Sequence, residues 1–443
     1  MALLETVVRI AALSVVLISL SYALPLLGIG MSFARRPGRS LRAQLRLDEA
    51  APAPPPRGWT VFALVPCLNE ERVISNTVRG LLEGQPGVQV IVIDDGSDDA
   101  TAGLARAAGD GKITVVRRTL PRARQGKGPA LNAGLAVVRR RVEDEGLDPG
   151  RVLVCVVDAD GRMTPAAAAR VAELFDDPAV GGVQLAVRIR DRRHWSLRFQ
   201  DIEFWTLSAL TQFGRVATGS VSMGGNGQFT RLAALDAIGP CPWSDSLTED
   251  LDLGISLAVH GWTLTSTPDA YVSQQGLTDP RSLLRQRTRW FQGHMSAITR
   301  LPELWTSPVI GNMARAELTM YLLIPYLVTL PWSVAQQYLL LFVLPQQGMC
   351  LIGSATEPPM TGLIGFLTWY LASFGICLPW ALLHWRRSDD LPLWKAVAYS
   401  HAQVLWSYVG FIACWRATWR IAARRRGWTK TERAEDVPLG SQA

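Results

Sequence analysis

Val88-Gln89-Val90-Ile91-Val92-Ile93-Asp94-Asp95-Gly96-Ser97-Asp98-Asp99-Ala100-Thr101 decides the fold. A short apolar run stops on two aspartates and a glycine, and a helix-start pattern comes at once after it. Upstream, Val61-Phe62-Ala63-Leu64-Val65 reads as a buried strand closed by Pro66, with a helix predicted over 70–83. Downstream, Ile113 to Val116 is a third strand, and Val152 to Val157 a fourth that runs into Asp158-Ala159-Asp160-Gly161. Strands alternating with helical stretches predict an α/β domain with a mostly parallel sheet and helices on both faces. In such sheets ligands bind beyond the carboxyl ends of the strands. Each acidic cluster falls there.

Taken singly, Asp94 and Asp95 would cap the next helix, and Asp158 with Asp160 would make an ordinary turn. Taken together they point to a ligand site. Two carboxylates one residue apart on a loop can reach one hard cation, which keeps a diphosphate in its remaining positions. An acidic strand end on the same edge can accept hydrogen bonds from a base or a ribose. Gly126-Lys127-Gly128-Pro129-Ala130-Leu131-Asn132-Ala133-Gly134 lies between the two loops. Its glycines permit close approach and its lysine supplies charge, which suits a phosphate. The spacing is not that of a P-loop, and the later ligands of an EF-hand are missing.

The flanks are of another kind. Of 443 residues, 48% are hydrophobic and 19% charged, with 16 tryptophans, a balance that suits membrane interfaces or sugar platforms. Ile10 to Ala34 pass without a charge, long enough to span a bilayer. Next come Arg35, Arg36, Arg39, Arg42 and Arg46, so the positive-inside rule puts the N-terminus outside and the chain after Arg35 in the cytoplasm. Three more apolar stretches, 316–345, 362–385 and 396–415, precede a tail with Arg416, Arg420, Arg424, Arg425 and Arg426. Three full crossings would put that tail outside, against the charge rule. Either one stretch is re-entrant or interfacial, or the first divides.

The expected domains are a membrane helix at 1–34 and a basic, Pro-rich linker at 35–58. The α/β domain with its interface helices takes 59–312, an all-α membrane region 313–416, and a basic cytosolic tail 417–443. The net charge of +7 comes largely from arginines beside apolar segments. No stripe of base-stacking aromatics accompanies them, so nucleic acid is not an expected partner. Six scattered cysteines predict neither a disulfide framework nor a zinc site.

Later in the chain, Thr248 before Glu249, Asp250 and Asp252 reads as an N-cap with an acidic first turn. Arg285, Arg287 and Arg289 predict a basic interfacial helix with Leu283, Leu284, Trp290 and Phe291 facing lipid. Residues 195–213, with Trp195, Phe199, Phe204, Trp205 and Phe213, predict another. His294 has no second histidine at ligand spacing and is expected to pack.

Seven motifs stand in order: Pro66-Cys67-Leu68-Asn69-Glu70-Glu71, Asp94 to Thr101, Lys127 to Gly134, Asp158-Ala159-Asp160, Gly224-Gly225-Asn226-Gly227-Gln228-Phe229, Thr248-Glu249-Asp250, and Gln286-Arg287-Thr288-Arg289-Trp290. The set resembles family 2 glycosyltransferases of the GT-A fold. Within them it resembles the processive membrane branch of cellulose, chitin, hyaluronan and poly-N-acetylglucosamine synthases. The resemblance covers residues 59–300, and the tail Gly427 to Arg433 fits the same group. It implies that Asp94 or Asp95 holds the uracil or ribose end of a UDP-sugar, with Lys127 near the diphosphate. Asp158 would touch nucleotide and metal, and Asp160 would complete the shell of Mg2+ or Mn2+. Glu70, Gly225, Asn226 and Glu249 stand in the matching motifs and are expected in substrate binding. Asp250 would be the general base, and Gln286, Arg289 and Trp290 would line the acceptor and diphosphate side.

Sugar transfer through an oxocarbenium-like state needs a stabilised leaving group, a proton acceptor and an aligned acceptor. The metal and Arg289 would serve the first need, Asp250 the second and the face of Trp290 the third. One base and no nucleophilic partner imply inversion and a β-linkage. The expected enzyme is a multi-pass protein of the inner membrane with a cytosolic catalytic domain. It would use UDP-N-acetylglucosamine first, UDP-glucose next, to extend a polysaccharide coupled to export. The alternative is a single addition to a membrane lipid, so the acceptor is a glycan or a lipid. Asp160, Asp250 and Arg289 are all present, which argues against a catalytically dead scaffold. The cysteine-bearing acceptor motif of cellulose synthases is absent, with Ser222-Met223-Gly224-Gly225 in its place. Oligomeric state and accessory proteins are left open.

Overall fold

A computed structural model describes residues 2–35, 46–338, 366–367, 370–371, 373–375, 377–388, 390–425 and 434. Arg36, Arg39 and Arg42, residues 339–365 of two apolar stretches, and the tail from Gly427 to Arg433 lie outside them.

Eight strands form one sheet: β1 (Thr60–Cys67), β2 (Gln89–Asp94), β3 (Ile113–Arg117), β4 (Val152–Val156), β5 (Arg162–Met163), β6 (Val180–Ile189), β7 (Gln228–Arg231) and β8 (Thr263–Gln274). Their order is β3-β2-β1-β4-β7-β6-β8-β5. β1 to β4 are mutually parallel, as the alternation of strand and helix predicts. The sheet becomes mixed beyond them: β7 runs antiparallel to β4 and β6, and β5 antiparallel to β8. From β1 the chain steps to β2 and β3 on one side and returns to β4 on the other. The crevice between the ends of β1 and β4 is therefore a topological switch point.

The central strands lack polar alternation because both their faces are covered. Val61, Ala63 and Val65 of β1 pack with Ile74, Val78 and Leu81 of α2 (Ile74–Gly84) and Ala105 of α3 (Thr101–Gly109). Phe62 and Leu64 pack on the other face with Leu131, Leu135 and Val138 of α4 (Lys127–Asp144), and Leu253 and Leu257 of α6 (Glu249–Val259). The helix expected over 70–83 starts later, at Ile74, because Asn69 is left-handed (φ 53°) and a turn on the Glu70 carbonyl comes first.

Around this domain lie α1 (Ala2–Ala34), α5 (195–215, with π-helical turns over Ile202–Ser208), α7 (Pro280–Ser296), α8 (312–338), α9 (Cys377–Arg387) and α10 (Leu393–Ala422). Among the described residues two segments, Leu17–Ala34 and Asn312–Gln337, are long and apolar enough to cross a membrane.

The aromatics of α5 mostly do not meet lipid. Trp205 and Phe213 are fully buried, and Phe199 stacks on Trp406 of α10 at 4.9 Å. Trp205 donates to the Arg387 carbonyl at 2.8 Å, and the Arg387 guanidinium lies 4.4 Å over its ring. Nor do Leu283 and Phe291 of α7 face lipid as expected. Leu283 packs with Phe199 and Trp406, and Phe291 with Met295 and Cys414. The reason is α10, which covers that face.

His294 packs, as expected. Pro325 lacks the N–H that would serve the Tyr321 carbonyl one turn back. His294 Nε2 lies 2.8 Å from that carbonyl and donates to it, its ring 4.6 Å from the Tyr321 ring. Burial lowers its pKa to about 4, so the ring stays neutral.

α1 crosses α5 through facing glycines. A Cβ on Gly30 would stand 1.9 Å from the Leu210 carbonyl oxygen, and one on Gly214 2.2 Å from that of Leu26. Only glycine allows backbones so close. Gly214→Leu should pry α1 from α5 at a cost of about 1–3 kcal/mol or more, read as a lower thermal midpoint of the purified protein. Gly28→Ala, where a Cβ meets nothing within 4 Å, should leave it unchanged.

Candidate active site

The motifs at the ends of β1 and β2 close on each other. Asn69 N–H donates to Ser97 Oγ (2.9 Å), Asn69 Oδ1 accepts from Asp98 N–H (2.9 Å), and Glu70 N–H donates to Thr101 Oγ1 (2.7 Å). The start of α3 is capped by Asp99 at Thr101 N–H and, from across the crevice, by Glu71 at Ala100 N–H. Asp94 is buried, accepts from Ser97 N–H (2.9 Å) and lies 3.4 Å from Arg117 Nε. Register explains that pair, since Asp94 stands opposite Arg117 across β2 and β3. Asp95 pairs with Arg118 and accepts from Arg124 N–H (3.1 Å). Burial raises its pKa despite Arg118. Asp94, Asp95 and Glu70 therefore lie together at the ends of β1 and β2, beside the switch point, with both aspartates already on arginines.

The second cluster lies in a cleft of about 410 Å³ lined by Lys127, Asp158, Gly225, Asn226, Glu249, Asp250, Gln286, Arg289 and Trp290. Its centre is the Lys127 ammonium at the first turn of α4. It is 2.6 Å from Asp158 Oδ1, 2.8 Å from the Gly225 carbonyl and 3.8 Å from Glu249 Oε1. Burial opposes the lysine's charge, but Asp158, Glu249 and Asp250 outweigh it and raise its pKa. Gly128 is needed for a reason other than a phosphate: a Cβ there would meet the Ser244 carbonyl oxygen at 2.0 Å.

Thr248, Glu249 and Asp250 do not act as an ordinary cap. Thr248 makes no capping bond; a Cβ on Gly293 of α7 would stand 2.5 Å from its Cγ2. Asp250 Oδ1 accepts from Leu251 N–H (2.8 Å), while Oδ2 lies close to Gly225. Burial and the Asp250 charge push Glu249 up to about 7, and burial also raises Asp250, with Lys127 and Arg289 opposing in both cases.

Asp158 faces the cleft. Asp160 lies beneath it, fully buried, with Oδ2 accepting from Gln275 N–H (2.9 Å) and its carbonyl from Arg190 (2.7 Å). Among the described residues no group of three acidic, histidine or cysteine side chains forms a cation cage. Two carboxylates on one turn still fit a divalent cation that takes its other ligands from a diphosphate, and Asp158 already grips a cationic group.

Sequence reasoning missed what holds the glycine loop. Gln184 accepts from Gly224 N–H (2.7 Å) and donates to the Asn226 carbonyl (2.8 Å), while Gln274 accepts from Asn226 Nδ2 (2.9 Å). Asn226 in turn accepts from Asp158 N–H (3.1 Å). The available signal was a glutamine inside a strand otherwise buried on both sides, since buried amides demand partners. On the far wall, the Arg287 guanidinium lies 4.6 Å over Trp290 and is paired to Glu203, and Trp290 meets Phe204 edge-on at 5.9 Å.

The fold is shared with a solved mannosyltransferase of Pyrobaculum calidifontis, determined with GDP-Man and Mn2+. That structure aligns over 89% of this chain and 99% of its own, at 17% identity and a TM-score of 0.50. Fold and family pattern together define an enzyme, a glycosyltransferase with the GT-A fold. The pattern described as glycosyltransferase like family 2 matches residues 55–293, more than half of the chain. The chain belongs to that family. A beta-monoglucosyldiacylglycerol synthase of Synechocystis sp. is 30% identical over 352 residues, 73% of this chain and 67% of that protein. Its namesake in Trichormus variabilis is 30% identical over 282 residues, 60% of this chain and 56% of that protein. The chain thus spans between half and two thirds of the length of these relatives.

Gly225→Ala tests the geometry of the cleft, since the new methyl would stand 2.8 Å from Lys127 Nζ and 3.2 Å from Asp250 Oδ2. Sugar transfer should fall by about tenfold or more, a rise in the barrier of roughly 1.4 kcal/mol or more. The thermal midpoint should move little.

Proposed function

We propose that the chain is an inverting, metal-dependent β-glycosyltransferase that adds a single hexose, glucose first, from a UDP-sugar to a membrane lipid. The observation that carries this reading is the path of the cleft. From Lys127 and Asp158 it continues past Phe204, Gln212, Phe291 and His294 to Tyr321, which belongs to a helix long and apolar enough to cross a membrane. An acceptor held in the bilayer can present its hydroxyl there. The named relatives support the same acceptor, since both are called synthases of a glucosylated diacylglycerol. They move the reading away from the processive polymerase and the N-acetylglucosamine donor that the motifs alone favour.

In this reading the cluster of Asp94, Asp95 and Glu70 receives the nucleoside, and Lys127, Asp158 and Arg289 surround the diphosphate. Asp158 and Asp160 would hold Mg2+ or Mn2+, which supplies positive charge to the departing diphosphate. Asp250 takes the proton of the acceptor hydroxyl. Its Oδ1 is fixed by Leu251 N–H, which aims Oδ2 into the cleft. Gln286 and Trp290 position the acceptor, and Gly225 and Asn226 shape the floor. A single base at the reacting carbon gives inversion. The α/β domain faces the cytosol, with α1 and the C-terminal helices as a multi-pass anchor in the inner membrane.

Labelled UDP-glucose supplied with diacylglycerol vesicles and Mg2+ or Mn2+ should give a lipid carrying one glucose. A ladder of polymer, or no lipid product, overturns the reading. Asp250→Asn should lower kcat by about a hundred- to ten-thousand-fold with UDP binding retained. A base must be deprotonated to act, and both acids of the pair titrate high, Glu249 at about 7. The rate should therefore rise with pH at values above the ordinary aspartate range and fall as the pair is protonated.

A further inference from the structure

The loop that carries Gly225 is tied to two of the apolar helices through a buried ion pair that the proposed reaction does not use. Arg215, at the end of α5, donates from Nε to Glu317 of α8 (2.8 Å) and from a terminal nitrogen to the Tyr22 hydroxyl of α1 (2.8 Å). Tyr22 donates to the same Glu317 oxygen (2.6 Å). The other terminal nitrogen reaches Ser222 Oγ (3.3 Å), and the guanidinium lies 3.8 Å over the ring of Tyr321. Ser222 is gripped a second time by Gln212, which accepts from its N–H (3.1 Å) and donates to its carbonyl and hydroxyl, both at 2.8 Å. Three residues on, the Gly225 carbonyl takes the Lys127 ammonium.

A buried ion pair gives little net stability against an apolar replacement, so its presence calls for another reason. Geometry supplies one. The glycine crossing of α1 and α5 sets Tyr22 within reach, and the pair then joins α1, α5, α8 and the loop at one point. Tyr321, Gln212 and Ser222 line the cleft itself.

We propose that Arg215 and Glu317 are positioning residues: they lock the Ser222–Gly225 loop to α1 and α8, so that the acceptor is met in transfer geometry only while both helices are seated. This rests on the lipid-acceptor reading for its kinetic consequence, but not for its structural one.

The test uses the full chain in lipid nanodiscs with Glu317→Gln, which keeps shape and removes charge, and Glu317→Asp as the conservative partner. Amide hydrogen exchange is read first, without substrate. Glu317→Gln should speed exchange over residues 220–226 by about tenfold or more, a local opening of the kind such loops show, while β1 and β2 keep wild-type protection. UDP affinity should be unchanged and kcat on the lipid acceptor should fall by at least the same factor, with Glu317→Asp recovering part of both effects. Unchanged exchange in the loop overturns the proposal. So does faster exchange spread through the sheet or a parallel loss of UDP affinity, either of which marks a merely structural role. Loop-confined exchange with undiminished transfer also overturns it. Should the wild type transfer nothing to lipid, the acceptor reading fails and the exchange result alone decides the proposal.

Discussion

One ammonium holds the site together. Asp158, Gly225 and Glu249 come from three separate segments, and each is within 4 Å of the Lys127 nitrogen. Three carboxylates crowded into a cleft repel one another and resist desolvation, so without a central cation they would neutralise or swing out to water. Lys127 is fixed there by backbone as much as by charge. It opens α4, and Gly128 beside it lets the Ser244 backbone close over the turn. Because that segment leads into Thr248, the same contact that seats the lysine also brings Glu249 and Asp250 to it.

The strands and the two acidic loops were legible in the sequence because both faces of β1, β2 and β4 are covered, and such strands read as unbroken apolar runs that stop at the sheet edge. The aspartates stood out for the same reason. Their partners did not, since Arg117 reaches Asp94, and Arg118 reaches Asp95, only through the pairing of β2 with β3. Thr248 misled for a related cause. A threonine before acids at a helix start is a cap when the helix stands free, but Gly293 of α7 lets another helix press on its side chain. Gln184 and Gln274, which fix the glycine loop, sit in strands where periodicity registers only a stray polar residue.

On the membrane side the sequence shows which faces are apolar and not what covers them. Phe199, Trp205 and Leu283 were as consistent with lipid as with another helix, and the cover turned out to be α10 for Phe199 and Leu283 and Arg387 of α9 for Trp205. The one polar residue there whose role could be guessed was His294, and the structure gives the reason that a lone histidine is kept. It repairs a carbonyl that Pro325 leaves without its helical donor.

The acidic pair carries the last step. Glu249 and Asp250 are neighbours on one helical turn, so each raises the cost of charging the other, and they titrate as a pair. Lys127 breaks the symmetry. It stands 3.8 Å from Glu249 and binds Asp158, while one oxygen of Asp250 is held by Leu251 N–H and the other looks toward Gly225. In the proposed reaction Asp250 is thus the carboxylate with a free, aimed oxygen, and burial raises its pKa against the pull of Lys127 and Arg289. A lone exposed aspartate near its ordinary pKa would be a weak acceptor for a sugar or glycerol hydroxyl. Burial makes it a stronger base, and the Lys127 ammonium offsets part of that rise.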